Sequence, residues 1–408
     1  MKINQKITLP CGAILKNRIA KSAMSEALGN QYFESDNRLE NVYKRWADGG
    51  AGLLITGNVM IDSRHLGELH NIVIQEGRTG LEALKKWAQA GSNNQTHVWM
   101  QLNHPGKQTP KFLTPKPVAP SAISLKPPLD KLFNPPLELS FEEIQDIIKR
   151  FIFAGKIAKL AGFSGVQIHG AHGYLVSQFL SPLHNQRTDS YGGSLENRMR
   201  FVIEIYQGLR KELGLQFPIS IKINSSDFQK GGFSHDESIE VAKRLSDCGM
   251  DLIEISGGTY EAPEMMGINK TKKESSIIRE AYFLKYCHEV KKAVTCPLML
   301  TGGFRSLNAM EEALSENSCD VIGLARSLAV YPDFPNDLML GKKIKCEVRP
   351  LSTGIKFLDK IIPLEIIWYT AQIHLMGKGE NPNPFASVRS VALKFIFSMG
   401  SQVLKKVR

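Results

Sequence analysis

Eight short apolar runs constrain this chain most. They read Asn17–Met24, Ala51–Gly57, His97–Leu102, Gly165–His169, Pro218–Asn224, Asp251–Ser256, Pro297–Gly302 and Asp320–Ala325. Each is rich in Val, Ile or Leu and poor in internal charge, as strands covered on both faces are. Between them the apolar spacing turns helical, over Leu39–Asp48, Gly80–Ala90, Phe141–Ala161, Leu195–Leu213, Asp236–Cys248, Ser276–Ala293 and Leu307–Ser315. Ser140 before Phe141-Glu142-Glu143 reads as a capping box, and Ser194 as a second helix start. Strands alternating with helices in this number predict an α/β fold, a (β/α)8 TIM barrel. A doubly wound sheet is the rival, but its Gly-rich turn is missing after the first strand, where Met24-Ser25-Glu26 stands. The Pro-rich stretch Pro105–Pro136 predicts a cap or hairpin over the barrel mouth.

A length of 408 residues suits one large barrel, expected over 1–340, and a basic, mainly helical C-terminal extension over 341–408. The extension carries 12 Lys and Arg against 4 Asp and Glu, and the rest of the chain 39 against 36. The net charge of +11 therefore belongs mostly to the tail, and no nucleic-acid partner is expected for the main domain. Within the tail, Ile355–Met376 is apolar and interrupted by Pro363. Val388, Ala392, Phe395, Met399 and Val403 follow, with Lys405, Lys406 and Arg408 at the end. The preferred reading is helices packed on the barrel or across a homo-oligomer; the other is a membrane-surface or partner helix. No run reaches the roughly 18 apolar residues of a membrane span. Met1–Lys6 lacks the apolar core of a signal peptide, so a cytoplasmic location is expected. The six cysteines include no Cys-x-x-Cys pair, and neither disulfides nor a metal site is expected from them.

In such a barrel, function gathers where strands end. Those ends read Ala23-Met24-Ser25, Thr56-Gly57-Asn58, Gln101 to His104, His169 to Tyr174, Lys222 with Asn224, Ser256-Gly257-Gly258, Gly302 to Arg305, and Ala325-Arg326. Gly57 would let backbone approach a flat ring, or would serve packing. Gln101 can donate and accept at once along a polar ring edge. Lys222 offers a cation, or a barrel-lining ion pair. Gly302 and Gly303 offer N–H groups to a phosphate, beside Arg326 at the start of a helical segment. His169 and His172 can aim two donors at one developing oxyanion, and Tyr174 can supply a proton. The spacing His169-x-x-His172 is not that of a zinc-binding helix, and no metal is expected there. Arg187, Tyr191 and Arg198 are expected to brace the loop.

The ordered run from His169-Gly170-Ala171-His172-Gly173-Tyr174-Leu175, through Gln178-Phe179-Leu180-Ser181-Pro182, to Arg187-Thr188-Asp189-Ser190-Tyr191-Gly192-Gly193-Ser194-Leu195-Glu196-Asn197-Arg198 resembles the Old Yellow Enzyme family of FMN-dependent ene-reductases. The resemblance covers residues 1–340. It implies FMN, reduced by NADPH or NADH, and ping-pong hydride transfer to the C=C bond of an α,β-unsaturated carbonyl or nitro compound. It places FMN contacts at Ala23, Met24, Ser25, Gly57, Gln101, Lys222, Gly302, Gly303, Ala325 and Arg326. It gives substrate binding to His169 and His172 and the proton to Tyr174. Several positions depart from the family pattern: Ala23 for Pro, Ser25 for Cys or Thr, Ala27 for Tyr, Lys222 for Arg and Ala325 for Gly. Relatives of the dienoyl-CoA reductase type carry a cysteine cluster after the barrel. Only Cys346 lies beyond residue 340, so no iron–sulfur cluster is expected. Two other activities fit parts of the pattern. One is an NAD(P)H:flavin oxidase or quinone reductase. The other is a non-redox phosphate-binding barrel of aldolase or isomerase type, with Lys222 as the Schiff-base amine.

Overall fold

The computed structural model describes residues 1–256, 274–347, 351–355, 359 and 363–394, and of residues 274–283 the backbone only. Eight parallel strands carry the fold: β1 (Ile19–Lys21), β2 (Leu53–Met60), β3 (His97–Asn103), β4 (Gly165–Gly170), β5 (Ile219–Asn224), β6 (Leu252–Ser256), β7 (Leu298–Thr301) and β8 (Val321–Leu324). Each pairs with the next, and β8 pairs with β1, Ile322 opposite Ile19, which closes the cylinder. The eight-run pattern thus becomes a (β/α)8 barrel.

Side-chain alternation divides each strand between two environments. Outward residues such as Val98, Met100, Val166, Ile168, Ile221, Ile253 and Ile322 form one core with the surrounding helices. Those helices are α1 (Asn37–Asp48), α2 (Leu81–Gly91), α3 (Phe141–Leu160), α4 (Leu175–Leu180), α5 (Leu195–Leu213), α6 (His235–Asp247), α7 (Glu274–Ala293), α8 (Leu307–Ser315), α9 (Arg326–Val330), α10 (Phe334–Met339) and α11 (Leu364–Gly377). Inward residues near the strand starts make a second, separate cluster: Leu53, Ile55, Trp99, Leu252, Met299 and Val321. Ile7 and Leu15, on an antiparallel hairpin ahead of β1, and Leu9 beside it join that cluster and plug the bottom of the barrel.

The Ser140 capping box forms with Glu143, and Ser194 accepts from the Asn197 N–H. Ser234 makes a second capping box with Glu237 that the sequence reading passed over. Within Pro105–Pro136 and just beyond it, Val118–Ala119 and Leu137–Glu138 pair parallel, so this pair is not a hairpin. Arg187 ties the segment to the β4 loop, donating to Pro120 O at 2.9 Å and Leu139 O at 2.6 Å.

Part of the C-terminal segment is built into the barrel's rim. From α11, Thr370 Oγ1 donates to Ser25 O at 3.1 Å, and His374 Nε2 meets Glu26 O at 2.9 Å. Glu365 pairs with Arg326 at 3.0 Å. Residues 395–408, with the basic end of the tail, lie outside the described residues, as do Gly257 and Gly258. No described helix is long and apolar enough to cross a membrane.

Candidate functional site

The polar groups converge at the C-terminal ends of the strands. On β4, His169 points into the barrel and its Nδ1 accepts from Ala171 N–H at 3.3 Å. That bond fixes the neutral tautomer with Nε2–H as the donor. Burial, then the neighbouring His172 and Lys222, hold the His169 imidazole well below its usual range. His172 follows in a left-handed backbone conformation, φ 63°, and Gly173 continues it at 78°. This tight turn swings the second imidazole back toward the first. The two rings lie 5.1 Å apart, and the Tyr174 ring lies 4.9 Å from His169. His172 is held through its N–H to Asn224 Oδ1 at 3.0 Å and through Nε2 to Ser256 Oγ at 2.8 Å. Burial, then Lys222, lowers its pKa to about 3. Both imidazoles are therefore neutral hydrogen-bonding groups at neutral pH.

Below them runs a chain of buried polar side chains. Gln101 Nε2 donates to Gln167 Oε1 at 2.7 Å, and Gln167 Nε2 to Glu254 Oε2 at 2.8 Å. The other Glu254 oxygen receives Lys222 Nζ at 3.0 Å and Thr301 Oγ1 at 2.6 Å. Ser22 extends the chain to Thr301 at 2.7 Å. Lys222 is thus a barrel-lining ion-pair partner. Its tie to a buried carboxylate is the opposite of what a Schiff-base amine needs, which is a free neutral nitrogen. Gln167 and Glu254 were missed in the sequence. Their signal was there, since a polar residue at an inward position of a doubly covered strand needs a partner.

The remaining positions divide. Gly302 and Gly303 have φ of 129° and 79°, and a Cβ at Gly302 would meet nothing within 4 Å. Their backbone is thus free to approach a ligand. Arg305, missed as a site residue, lies beside Arg326; burial first, then that second guanidinium, lowers its pKa. Two adjacent cations next to open glycine backbone suit a phosphate. Ala325 caps α9 without a side-chain bond, and α9 begins at Arg326 itself and has 5 residues. The helix-start contribution expected at Arg326 is correspondingly small. Gly57 answers to packing: a Cβ there would fall 2.6 Å from Met24 O and 3.0 Å from Glu26 Oε2. Ala23, Met24 and Ser25 line the rim after β1, partly exposed. Both side-chain polar atoms of Asn103, at the inward top of β3, are buried without a partner. An orphaned amide there is suited to a polar ligand, and with the cationic, glycine-lined corner at Gly302, Gly303, Arg305 and Arg326 the donor set fits FMN.

The bracing roles expected of the long loop are visible. Tyr191 Oη donates to Glu204 at 2.6 Å, and Arg198 engages Leu180 O and Glu237. Among the described residues, Asp62, His65 and His104 could share an ion, with ligand atoms within 4.8 Å of one another. Arg64 already grips both Asp62 oxygens, and His104 Nδ1 accepts from Gly106 N–H, which leaves a proton on Nε2. Neither arrangement suits a cation.

Residues 7–344 match the NADH:flavin oxidoreductase / NADH oxidase family. The NADH-dependent flavin oxidoreductase iliE of Hypocrea jecorina (strain QM6a) is 37% identical over 360 residues, 83% of this chain and 89% of that protein. The protein of the same name from Neonectria sp. (strain DH2) is 35% identical over 83% of this chain, which spans about half, 47%, of that relative's length. Among solved structures, the old yellow enzyme homologue from Zymomonas mobilis superposes with a TM-score of 0.71, covering 85% of this chain and 95% of its own. At 23% identity that likeness speaks to the barrel alone.

Proposed function

This chain belongs to the NADH:flavin oxidoreductase / NADH oxidase family, and we propose that it is an ene-reductase acting on small α,β-unsaturated carbonyl or nitro compounds. It is an NAD(P)H-dependent flavin oxidoreductase whose cofactor is FMN. When bound and reduced by the nicotinamide, FMN supplies hydride to the β-carbon of the alkene. The chain's own residues do the rest. His169 and His172 present neutral N–H donors to the carbonyl or nitro oxygen, where negative charge builds. Tyr174 delivers a proton to the α-carbon. Lys222, oriented by Glu254, would offer its ammonium to the flavin ring, and Gln101 would offer its amide to the ring's polar edge. Ala23, Met24 and Ser25 would line one flank of the ring, with Gly57 shaping that flank by packing, and Gly302, Gly303, Ala325 and Arg326 would hold the phosphate. We further propose that residues 341–408 serve the barrel 1–340 as an extension, and that the free thiols of all six cysteines fit a reducing, cytoplasmic setting.

One observation carries the reading: two imidazoles and a phenol packed within 5.1 Å at the end of β4. Both imidazoles are kept neutral by burial, so they can donate without carrying charge. The test is Tyr174→Phe. Anaerobic nicotinamide should still bleach the flavin, while enone reduction falls by about 10²-fold or more. Unchanged alkene turnover would remove Tyr174 as the acid. Rapid reoxidation by quinone or oxygen, with no enone or nitroalkene consumed, would place the activity among the oxidases instead.

A further inference from the structure

Glu68 is a carboxyl group that the chemistry above leaves unused. It sits in the loop between β2 and the short strand Ile72–Val73, held by Asn71. Its N–H donates to Asn71 Oδ1 at 2.9 Å, and Asn71 Nδ2 reaches Glu68 Oε1 at 3.4 Å. The other carboxyl oxygen accepts from the Ser25 hydroxyl. From α11, Thr370 donates to the Ser25 carbonyl. Ser25 is thus engaged at both its carbonyl and its hydroxyl, and rotation about the hydroxyl bond alone can redirect its hydrogen.

We propose that Glu68 is a positioning residue that acts through Ser25 and couples reduction of the bound flavin to uptake of a proton. The inference rests on the FMN site read above, in which Ser25 lines the ring. With Glu68 protonated, its O–H can donate to Ser25 Oγ, and the serine hydrogen turns to the ring edge. With Glu68 ionised, the carboxylate takes that hydrogen, and Ser25 presents a lone pair instead. A donor favours the electron-rich reduced ring, and a lone pair opposes it. By linkage, reduction then raises the affinity of Glu68 for a proton. The nicotinamide hydride brings both electrons; the Glu68 proton comes from solvent and stays on the carboxyl.

The surroundings place both states within reach. Burial first, with the nearby Glu26 adding to it and the Ser25 bond opposing, raises the Glu68 pKa to about 7. Glu26 itself is paired with Lys21 at 2.7 Å. Asn58 and His70 line the same cavity, and His70 Nδ1 meets Gly29 O at 3.1 Å.

The test is a spectroelectrochemical titration of the FMN-loaded full chain across neutral pH, on wild type, Glu68→Gln and Ser25→Ala. Wild type should take up as much as one proton more per two electrons than Glu68→Gln, and Ser25→Ala should lose most of that excess. Equal proton stoichiometry in wild type and Glu68→Gln, both holding FMN, overturns the proposal and leaves the FMN site standing. Wild type that binds no FMN overturns the site reading itself. If Glu68→Gln does not load, the reduced-minus-oxidised infrared difference spectrum of wild type decides. A gained carboxylic-acid band near neutral pH supports the coupling, and its absence ends it.

Discussion

The two halves of the barrel's interior share three strands, β3, β6 and β7, and differ in character. Near the strand starts, Leu53, Ile55, Trp99, Leu252, Met299 and Val321 interlock with the N-terminal hairpin as a dry plug. One inward step further, β3, β6 and β7 supply Gln101, Glu254 and Thr301, and β4, β5 and the end of β1 add Gln167, Lys222 and Ser22, all joined by hydrogen bonds and one ion pair. A further step brings His169, Asn103 and Ser256 to the mouth. The plug tolerates imperfect shape at a graded cost. The polar layer works only when complete, because each member satisfies another away from water. Plug, polar layer and mouth thus succeed one another along one cylinder, each a two-residue strand period from the next.

The largest effect is expected where the polar layer is broken on one side. Glu254→Leu leaves the Lys222 ammonium buried without its partner and should cost about 3–5 kcal/mol. Leu252→Ala, two residues back in the plug, should cost about 2–5 kcal/mol through a cavity. The two are distinguished by rescue. Adding Lys222→Met to Glu254→Leu should recover much of the loss, since removing both charges removes the unpaired one. No second truncation in the plug should rescue Leu252→Ala. Urea midpoints at unchanged slope read all four variants. A Glu254→Leu protein as stable as wild type would mean that water reaches the layer and that it is not dry.

At the mouth, effects should fall on rate instead. His169→Ala removes one of two donors and should slow enone reduction by about 10²–10³-fold. Its unfolding midpoint should move far less than that of Glu254→Leu. A large loss of stability with little change in rate would put His169 in the structural layer and erase the distinction.

How much of this was legible follows from what each layer needs. The eight runs were readable because strands covered on both faces must be apolar outward, whatever lies inside. The inward polar residues were readable as exceptions; their partners were not. Gln167 meets Gln101 and Glu254 only because closure brings β3, β4 and β6 around one axis, a non-local fact. Lys222 illustrates this, since its pairing was left open until Glu254 appeared opposite it in register. For Gly57 the sequence leaves ring approach and packing both open, and the crowding by the Met24 carbonyl, which no local pattern records, supplies a packing reason. The contribution of α11 was least readable, since Thr370 reaches Ser25 across 345 residues of sequence. Arg305 stood in view beside Gly302 and Gly303, and only the proximity of Arg326 gives it meaning.

Acid should separate the layers again. His172 has its pKa lowered from 6.5 to about 3 in the folded protein. The unfolded chain therefore binds the extra proton over that window, so stability is complete above the unfolded value and declines as pH falls toward the folded one. His172→Gln should flatten this decline, measured as the change in unfolding free energy between about pH 7 and about pH 5. The plug contributes no titrating group, so Leu252→Ala should keep the wild-type slope. An identical slope in His172→Gln would mean that the imidazole titrates normally in the fold and that the neutral-donor argument fails at this residue.

The smallest effect tests whether the rim borrows rigidity from the C-terminal helix. Thr370→Val keeps the side chain's volume and removes one hydrogen bond to the Ser25 carbonyl. The expected cost is about 1 kcal/mol, because a partly buried carbonyl loses its donor. That loss should appear locally. Hydrogen exchange should quicken around residues 23–28, and the plug should exchange as in wild type. FMN affinity should weaken more than global stability does, because Ser25 is held in place from this side. Uniform acceleration across the barrel would instead make α11 a general brace, with no particular bearing on the mouth.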